Sequence, residues 1–462
     1  MRGRRTGTAG RRLSQIETIA AIATPPGRGA VAIIRISGEG TRDIAARVFR
    51  SEQELQARLA TLGDILDERG SPLDRGLALF FPAPHSYTGE DVLELHVHGS
   101  PVVARETLTS VLACGARLAT PGEFTRRAFL RGKIDLSAAE AVADLIEAET
   151  RGAARAARAQ LAGGLQTEVA SVRAHVGTIL EELAATLDFP DEVIEPPRER
   201  LRGEIEGIWG HLYAMARSWE IGRLVREGPS VAIVGPPNAG KSSLLNAMLG
   251  DERALVSEQA GTTRDTIEES FGLDGLRVRL IDTAGIREHA DQLEAAGIAR
   301  TERALQDARL ALVVVDGSRR LEAGELVLLG RTRGRRRIVI FNKRDAGTAG
   351  YDAREPEEDD ALLVSVLDPG DVARIREAIR RAFDVEDVDL ERPHLATARQ
   401  ADCALAAQRA LMSAVQTLEA GEPIDLITPD LVEAYGALGE LTGDAVTEAI
   451  LDGIFARFCI GK

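Results

Sequence analysis

The sequence predicts a multidomain α/β protein: an α+β amino-terminal domain, an all-α helical domain made of two chain segments, and a doubly wound sheet domain inserted between them. Three observations predict it. Residues 19–131 mix strand patterns with short helical ones, and from Ser137 the apolar spacing lengthens to three or four residues. Residues 229–386 then alternate strands and helices, after which the helical spacing returns.

In chain order, residues 1–16 carry Arg2, Arg4, Arg5, Arg11 and Arg12 without an acid or the apolar stretch of a secretory signal, and read as a disordered start. Residues 30–36 read as a buried strand, and 76–81 and 91–97 as two more, the last alternating with a period of two. Arg35 and Glu94 stand inside these patterns. Burying either charge alone costs several kcal/mol, so they pair with each other or hold a ligand, and residue chemistry alone favours the mutual pair. His96 and His98 share a strand face with no third metal ligand evident, and read as solvent-side histidines. Thr120-Pro121-Gly122-Glu123 reads as a helix start capped by Thr120, and Ser137-Ala138-Ala139-Glu140 as a capping box.

Leu161, Leu165, Val169, Val172, Val176, Leu180, Leu183 and Leu187 form one apolar stripe on a long helix, stopped by Asp188-Phe189-Pro190-Asp191-Glu192. Pro196-Pro197 marks a loop, and a second helical run extends to about Arg226. Residues 353–360 read as a solvated acidic loop and 384–393 as an acidic linker. Leu405, Leu411, Met412, Val415 and Leu418, then Leu431, Tyr435 and Leu438, resume the helical spacing.

Composition excludes some classes. No apolar run approaches the ~18 residues of a membrane span. Cys114, Cys403 and Cys459 are too scattered for a disulfide framework or a metal site, which fits a cytoplasmic protein. A net charge of −15 argues against coating nucleic acid by charge alone.

The chemistry is concentrated in Gly235-Pro236-Pro237-Asn238-Ala239-Gly240-Lys241-Ser242, which follows the apolar run Val231-Ala232-Ile233-Val234 and opens a helical one. Strand, glycine-rich turn and helix start in that order make a P-loop. Its amides turn toward phosphate oxygens, Lys241 adds a point charge, and the Ser242 hydroxyl is a hard ligand for Mg²⁺. Asp282-Thr283-Ala284-Gly285 ends a strand with a carboxylate placed to hold Mg²⁺ through water. Asn342-Lys343-Arg344-Asp345 ends another, and Asp345 can accept both the ring N–H and the amino group of guanine. A site built for such donors rejects the analogue lacking them by about 10⁴–10⁵-fold. Together the three motifs select GTP.

Many GTPases orient the attacking water with a glutamine after the second magnesium motif, but Ile286 stands here. Arg287, Glu288, Asp291 and Glu294 are the polar candidates for that task, or are surface charge on a slow switch. The loop Gly261-Thr262-Thr263-Arg264-Asp265 supplies a threonine hydroxyl suited to Mg²⁺ and the γ-phosphate.

The P-loop, Gly-Thr-Thr-Arg-Asp, Asp-Thr-Ala-Gly-Ile-Arg and the ending Phe-Cys-Ile-Gly-Lys together resemble the MnmE (TrmE) family of tRNA modification GTPases. So do residues 23–29, Ile36-Ser37-Gly38, Tyr87-Thr88-Gly89-Glu90-Asp91 and Pro121-Gly122-Glu123-Phe124-Thr125. The resemblance implies a tetrahydrofolate-binding and dimerisation domain over 17–132, a helical domain over 133–228 and 387–462, and a Ras-like P-loop GTPase domain over 229–386. It implies a homodimer working with the flavoprotein MnmG, as a heterotetramer, to place an aminomethyl or carboxymethylaminomethyl group on the wobble uridine of certain tRNAs. A 5-formyl- or methylene-tetrahydrofolate supplies the carbon.

By the same resemblance, Asn238, Ser257, Gln259 and Thr262 hold K⁺, which replaces an arginine finger when two GTPase domains meet. Ser242 and Thr263 hold Mg²⁺, and Glu294 orients the water, with Arg287 as a further catalytic candidate. GTP is contacted by Gly235, Asn238 to Ser243 (Ala239, Gly240, Lys241 and Ser242 included), Ser257, Glu258, Gln259, Ala260, Gly261, Thr262 and Thr263. Further contacts fall to Asp282, Thr283, Ala284, Gly285, Asn342, Lys343, Asp345 and Ser365. Arg35, Glu94, Lys133 and Lys462 match folate-contacting positions, which replaces the reading of Arg35 and Glu94 as a simple ion pair. Ser365-Val366-Leu367 departs from the usual Ser-Ala-Lys or Ser-Ala-Arg, which leaves its backbone for guanine. The competing function is a ribosome-assembly GTPase switch, which usually appends a basic module where this chain has an acidic, helical tail.

Overall fold

The computed structural model describes residues 17–250, 269–273, 276–281, 302–352, 361–383 and 394–462. The segments expected from sequence to be a disordered start (1–16), an acidic loop (353–360) and an acidic linker (384–393), with those holding Ser257–Thr263 and Asp282–Glu294, lie outside these residues. The chain forms two compact units, one combining residues up to Ala143 with Gly439–Lys462, the other Asp144–Leu438.

The first unit is built on a seven-stranded sheet. Its strands are β1 (Ile19–Ile22), β2 (Val31–Ser37), β3 (Phe49–Arg50), β4 (Thr61–Leu66), β5 (Pro72–Phe81), β6 (Val92–His98) and β7 (Arg117–Leu118), in the order β3-β4-β5-β6-β2-β1-β7. Neighbours are antiparallel except β1 with β7. Strand β2 alternates rather than being buried throughout, and Ile34 and Ile36 join Leu93 and Leu95 of β6 in a core beneath helices α1 (Thr41–Val48) and α2 (Pro101–Ala113).

Helix α3 (Glu123–Leu130) starts later than the capping pattern predicts. Gly122 at φ +67° is its cap, and Thr120 instead gives its amide and hydroxyl to the Glu123 carboxylate at 2.9 and 3.1 Å. Helix α4 (Leu136–Glu147) starts earlier: the Asp135 carboxylate accepts the Ala138 amide at 2.9 Å, so Ser137 is inside the helix and not its cap.

In the second unit the expected stripe is interrupted. Leu161 ends α5 (Arg151–Leu161), Gly163 turns left-handed at φ +82°, and α6 (Gly164–Asp188) begins afresh. Its buried seam is Leu165, Val169, Val172, Val176, Ile179 and Leu183. Ile179 thus takes the place expected for Leu180, and Leu187 is exposed. Helix α7 (Arg198–Glu227) returns after the Pro196-Pro197 loop.

A six-stranded sheet follows: β8 (Ser230–Val234), β9 (Glu269–Leu273), β10 (Leu276–Ile281), β11 (Leu310–Asp316), β12 (Arg337–Asn342) and β13 (Ala361–Leu363). The order is β13-β12-β11-β8-β10-β9, parallel but for β9 against β10. Both faces are buried, as a parallel sheet requires. Val231, Ile233, Leu312 and Ile340 face a core shared with α8 (Lys241–Leu249), whereas Ala232, Val313 and Phe341 face Leu329 of α9 (Ala323–Thr332). Helix α10 (Pro369–Ala382) covers the α8 face through Ile375 and Ile379.

Helix α11 (Ala398–Glu419) then packs along α7. Its seam combines five alanines with Leu411, Val415 and Leu418, and Leu405 is exposed rather than part of it. The chain ends with α12 (Thr428–Thr442) and α13 (Glu448–Phe455). Among the described residues no helix is long and apolar enough to cross a membrane.

Candidate functional site: a P-loop and a charged cluster at the chain end

The P-loop leaves the carboxyl end of β8, where the strand order reverses between β8 and β11, the place where doubly wound sheets bind ligands. Close approach dictates the glycines. A Cβ on Gly235 would stand 2.2 Å from the Val314 carbonyl oxygen. Gly240, at φ +99°, caps α8, and a Cβ there would stand 2.1 Å from Asn342 Nδ2. Asn238 is itself left-handed at φ +64°, a conformation that asparagine tolerates better than most residues. Lys241 opens α8, and its Nζ donates to the Pro236 carbonyl at 2.8 Å. Burial holds its ammonium pKa below the usual lysine value, so the group gains from a phosphate beside it. Ser242 and Ser243 are exposed on the first turn of α8, where a helix N-terminus favours anions.

Asn342 joins this loop to the Ser365–Leu367 segment. It is buried, donates Nδ2–H to the Ala239 carbonyl at 2.9 Å, and accepts the Val366 amide on Oδ1 at 3.1 Å. Lys343 follows at φ +65°, its Nζ on Asp316 Oδ2 at 2.6 Å. Burial pushes the Asp316 carboxyl up, but Lys343 and Ser318 outweigh that and hold it below its ordinary pKa. Asp345 is exposed. Arg344 reaches Asp368 and Asp371, and Asp371 also accepts the Ser365 amide at 2.8 Å. The structure therefore brings Gly235, Asn238–Ser243, Asn342, Lys343, Asp345 and Ser365 to one end of the sheet. The remaining nucleotide, potassium and catalytic candidates, from Ser257 to Thr263 and from Asp282 to Glu294, lie outside the described residues.

The first unit holds a second cluster. Arg35 and Glu94 are register partners across β2 and β6 and form an ion pair at 2.9 Å, the mutual pairing that residue chemistry favoured. Arg35 Nη1 also donates to the Gly461 carbonyl at 3.2 Å, and its guanidinium lies 5.8 Å from the ring centres of Tyr87 and Phe124. Lys462 is close enough that burial and the Arg35 charge lower its ammonium pKa, against a smaller opposing pull from Glu94. Lys133 donates to the Pro84 carbonyl at 3.1 Å. His96 is half-buried beside Glu94 at 3.4 Å rather than on the solvent side, while exposed His98 sits on Asp74 at 2.7 Å. Among the described residues no His, Cys, Asp and Glu group could hold a metal ion.

Residue-by-residue reasoning missed the scaffold under this cluster. Buried Glu90 accepts from Ser37 at 2.8 Å, Arg127 at 3.0 Å and Arg131 at 2.9 Å, locking the Tyr87–Asp91 turn to β2 and α3. The signal was present in motif form, since Ile36-Ser37-Gly38 and Tyr87-Thr88-Gly89-Glu90-Asp91 are the segments it joins.

Known proteins match this arrangement along the chain. Residues 18–133 match the family described as GTP-binding protein TrmE N-terminus, and residues 136–459 the one described as MnmE helical domain. The chain belongs to the MnmE (TrmE) family of tRNA modification GTPases. The tRNA modification GTPase MnmE of Heliobacterium modesticaldum is 42% identical, covering 96% of this chain and 99% of the relative. That of Moorella thermoacetica is 41% identical, covering 96% and 99%. That of Lactobacillus delbrueckii subsp. bulgaricus is 37% identical, covering 98% and 99%. Among solved structures, the G domain of the T. maritima FeoB iron transporter is 22% identical over 33% of this chain and 98% of its own, with a TM-score of 0.26. Family membership makes this chain a GTP hydrolase of tRNA modification.

Proposed function

We propose that the chain hydrolyses GTP to drive, with the flavoprotein MnmG, the addition of an aminomethyl or carboxymethylaminomethyl group to the wobble uridine of certain tRNAs. The observation that carries the reading is the presence in one chain of two built sites. One is a P-loop with Asn238 and Gly240 held left-handed. The other is the cluster in which Arg35, Glu94 and the Gly461-Lys462 end converge. The cluster pairs a cation with a carboxylate between two aromatic rings. That chemistry suits a flat heterocycle with its own donors and acceptors, such as the pterin of a tetrahydrofolate.

In this reading residues 17–132 form the folate-binding and dimerisation domain, 133–228 with 387–462 the helical domain, and 229–386 the GTPase domain, in a cytoplasmic homodimer. Lys241 and the P-loop amides would hold the phosphates, Ser242 with Thr263 Mg²⁺, and Asp345 the guanine edge. Asn238, with Ser257, Gln259 and Thr262, would hold K⁺ where two GTPase domains face each other. Glu294 would orient water in place of the side chain missing at Ile286.

Hydrolysis measured in potassium and in sodium at equal ionic strength tests the GTPase half. Strong potassium dependence is expected, and equal rates refute it. Titration with 5-formyltetrahydrofolate, wild type against Arg35→Ala, tests the other half. Indistinguishable binding defeats the assignment.

A further inference from the structure

The third base-side segment, Ser365-Val366-Leu367, ends in an apolar residue that is 80% exposed and has no polar side-chain group to offer a base. A carboxylate from the next helix holds that segment instead. Asp371, in the first turn of α10 and 4% exposed, accepts the Ser365 amide at 2.8 Å, Arg344 Nη2 at 2.8 Å and Arg374 Nη1 at 3.0 Å. Arg344 lies between Lys343 and Asp345, and its own amide bonds the Val364 carbonyl at 3.0 Å. One buried carboxylate therefore ties the segment carrying Asp345 to the segment carrying Ser365.

The tie has mechanical work to do. Lys343 is left-handed, a strained conformation for a non-glycine residue, so the turn delivering Asp345 must be held from outside. Asp316 holds it on one side through the Lys343 ammonium, and Asp371 on the other through the Arg344 guanidinium. Hydrogen bonds between ionised groups are roughly twice as strong as neutral ones, and Arg344 directs both Nε, at 3.0 Å, and Nη2, at 2.8 Å, to Asp371 Oδ2.

We infer that Asp371, acting through Arg344, is a positioning residue for guanine selection. It sets the distance between the Asp345 carboxylate and the Ser365–Leu367 backbone, so that the two edges of the base are met together. The inference rests on the reading that Asp345 faces guanine.

The test is equilibrium binding of fluorescent GDP and IDP to the full chain, because hypoxanthine lacks only the amino group that Asp345 would accept. Arg344→Ala and Asp371→Asn should each weaken GDP at least ~10-fold while weakening IDP less than ~3-fold, so selectivity for guanine falls. Arg344→Lys, which keeps the charge, should recover part of the loss, and the double variant should cost no more than the worse single one. Arg344 is partly exposed, so its alanine variant is expected to fold even if Asp371→Asn does not. Equal weakening of both nucleotides, or none, overturns the inference. Asp345→Asn separates the two levels, because an amide there should favour xanthine over guanine. If base preference stays unchanged in that variant, the reading of Asp345 fails; if it shifts while Arg344→Ala leaves selectivity intact, only the positioning role fails.

Discussion

Replacing Gly240 by alanine asks whether the phosphate side and the base side of the nucleotide site share one buried residue. At φ +99° a Cβ costs about 1–2 kcal/mol in backbone strain alone. That Cβ would also stand 2.1 Å from Asn342 Nδ2, well inside any tolerable contact. The asparagine cannot swing away freely, since it is buried and bonded at both ends, to Ala239 and to Val366. Surrendering those two bonds costs about 1 kcal/mol each. The total of about 3–4 kcal/mol corresponds to a loss of roughly 10²–10³-fold in affinity if it falls on the nucleotide-competent state. Fluorescent GDP titration measures this, with urea unfolding as the control for a general loss of fold. GDP binding within about threefold of wild type would show that Asn342 is not the rigid link described, and the reasoning would fail.

Three further outcomes are expected. Burial pushes the Glu123 carboxyl up, but Arg117, the Thr120 amide and Arg127 outweigh it and hold the pKa at about 2. Its stabilisation is then present above the ordinary glutamate range and lost as pH falls from there toward 2. Glu123→Gln should accordingly cost on the order of 1 kcal/mol at pH 7, a gap that closes in acid when unfolding is followed by circular dichroism. Leu212→Ala, at a fully buried position of α7, should lower stability by about 2–5 kcal/mol in urea unfolding of the second unit. Glu294→Ala should keep GTP affinity in equilibrium titration and lose turnover under single-turnover conditions; normal turnover would remove its assigned role.

The sheet of the second unit was legible because its central strands β8, β11 and β12 are nearly continuous apolar runs buried on both faces. Strands β3, β7 and β13, of two or three residues each, are too short to show a period and were missed. The α5–α6 break was invisible because helical spacing runs on through Gly163, and only the left-handed turn there shows where the axis changes. Leu405 misled for a related reason: α11 buries an alanine-rich face, so the large residue at that spacing points outward. At the nucleotide site the glycine and lysine pattern was readable residue by residue. Asp316 and Asp371 were not, because an aspartate after a strand or near a helix start looks like ordinary capping until its partners are seen. The pairing of Arg35 with Glu94 followed from the cost of a lone charge in a strand. Their meeting with Gly461 joins positions so far apart that no local pattern carries it, and family resemblance alone pointed there.

That last meeting has a consequence for biosynthesis. The Lys462 carbonyl accepts the Phe124 amide at 3.2 Å, and Gly461, at φ +104°, lies so close to Ile22 that a Cβ would touch its carbonyl oxygen at 2.6 Å. A ribosome that has released β1 and β2 must add roughly 400 residues more before the partner segment emerges, a wait of roughly 20–80 s at about 5–20 residues per second. Through that interval Arg35 lacks the Gly461 carbonyl, Phe124 lacks the Lys462 carbonyl, and the nascent first domain has an open seam.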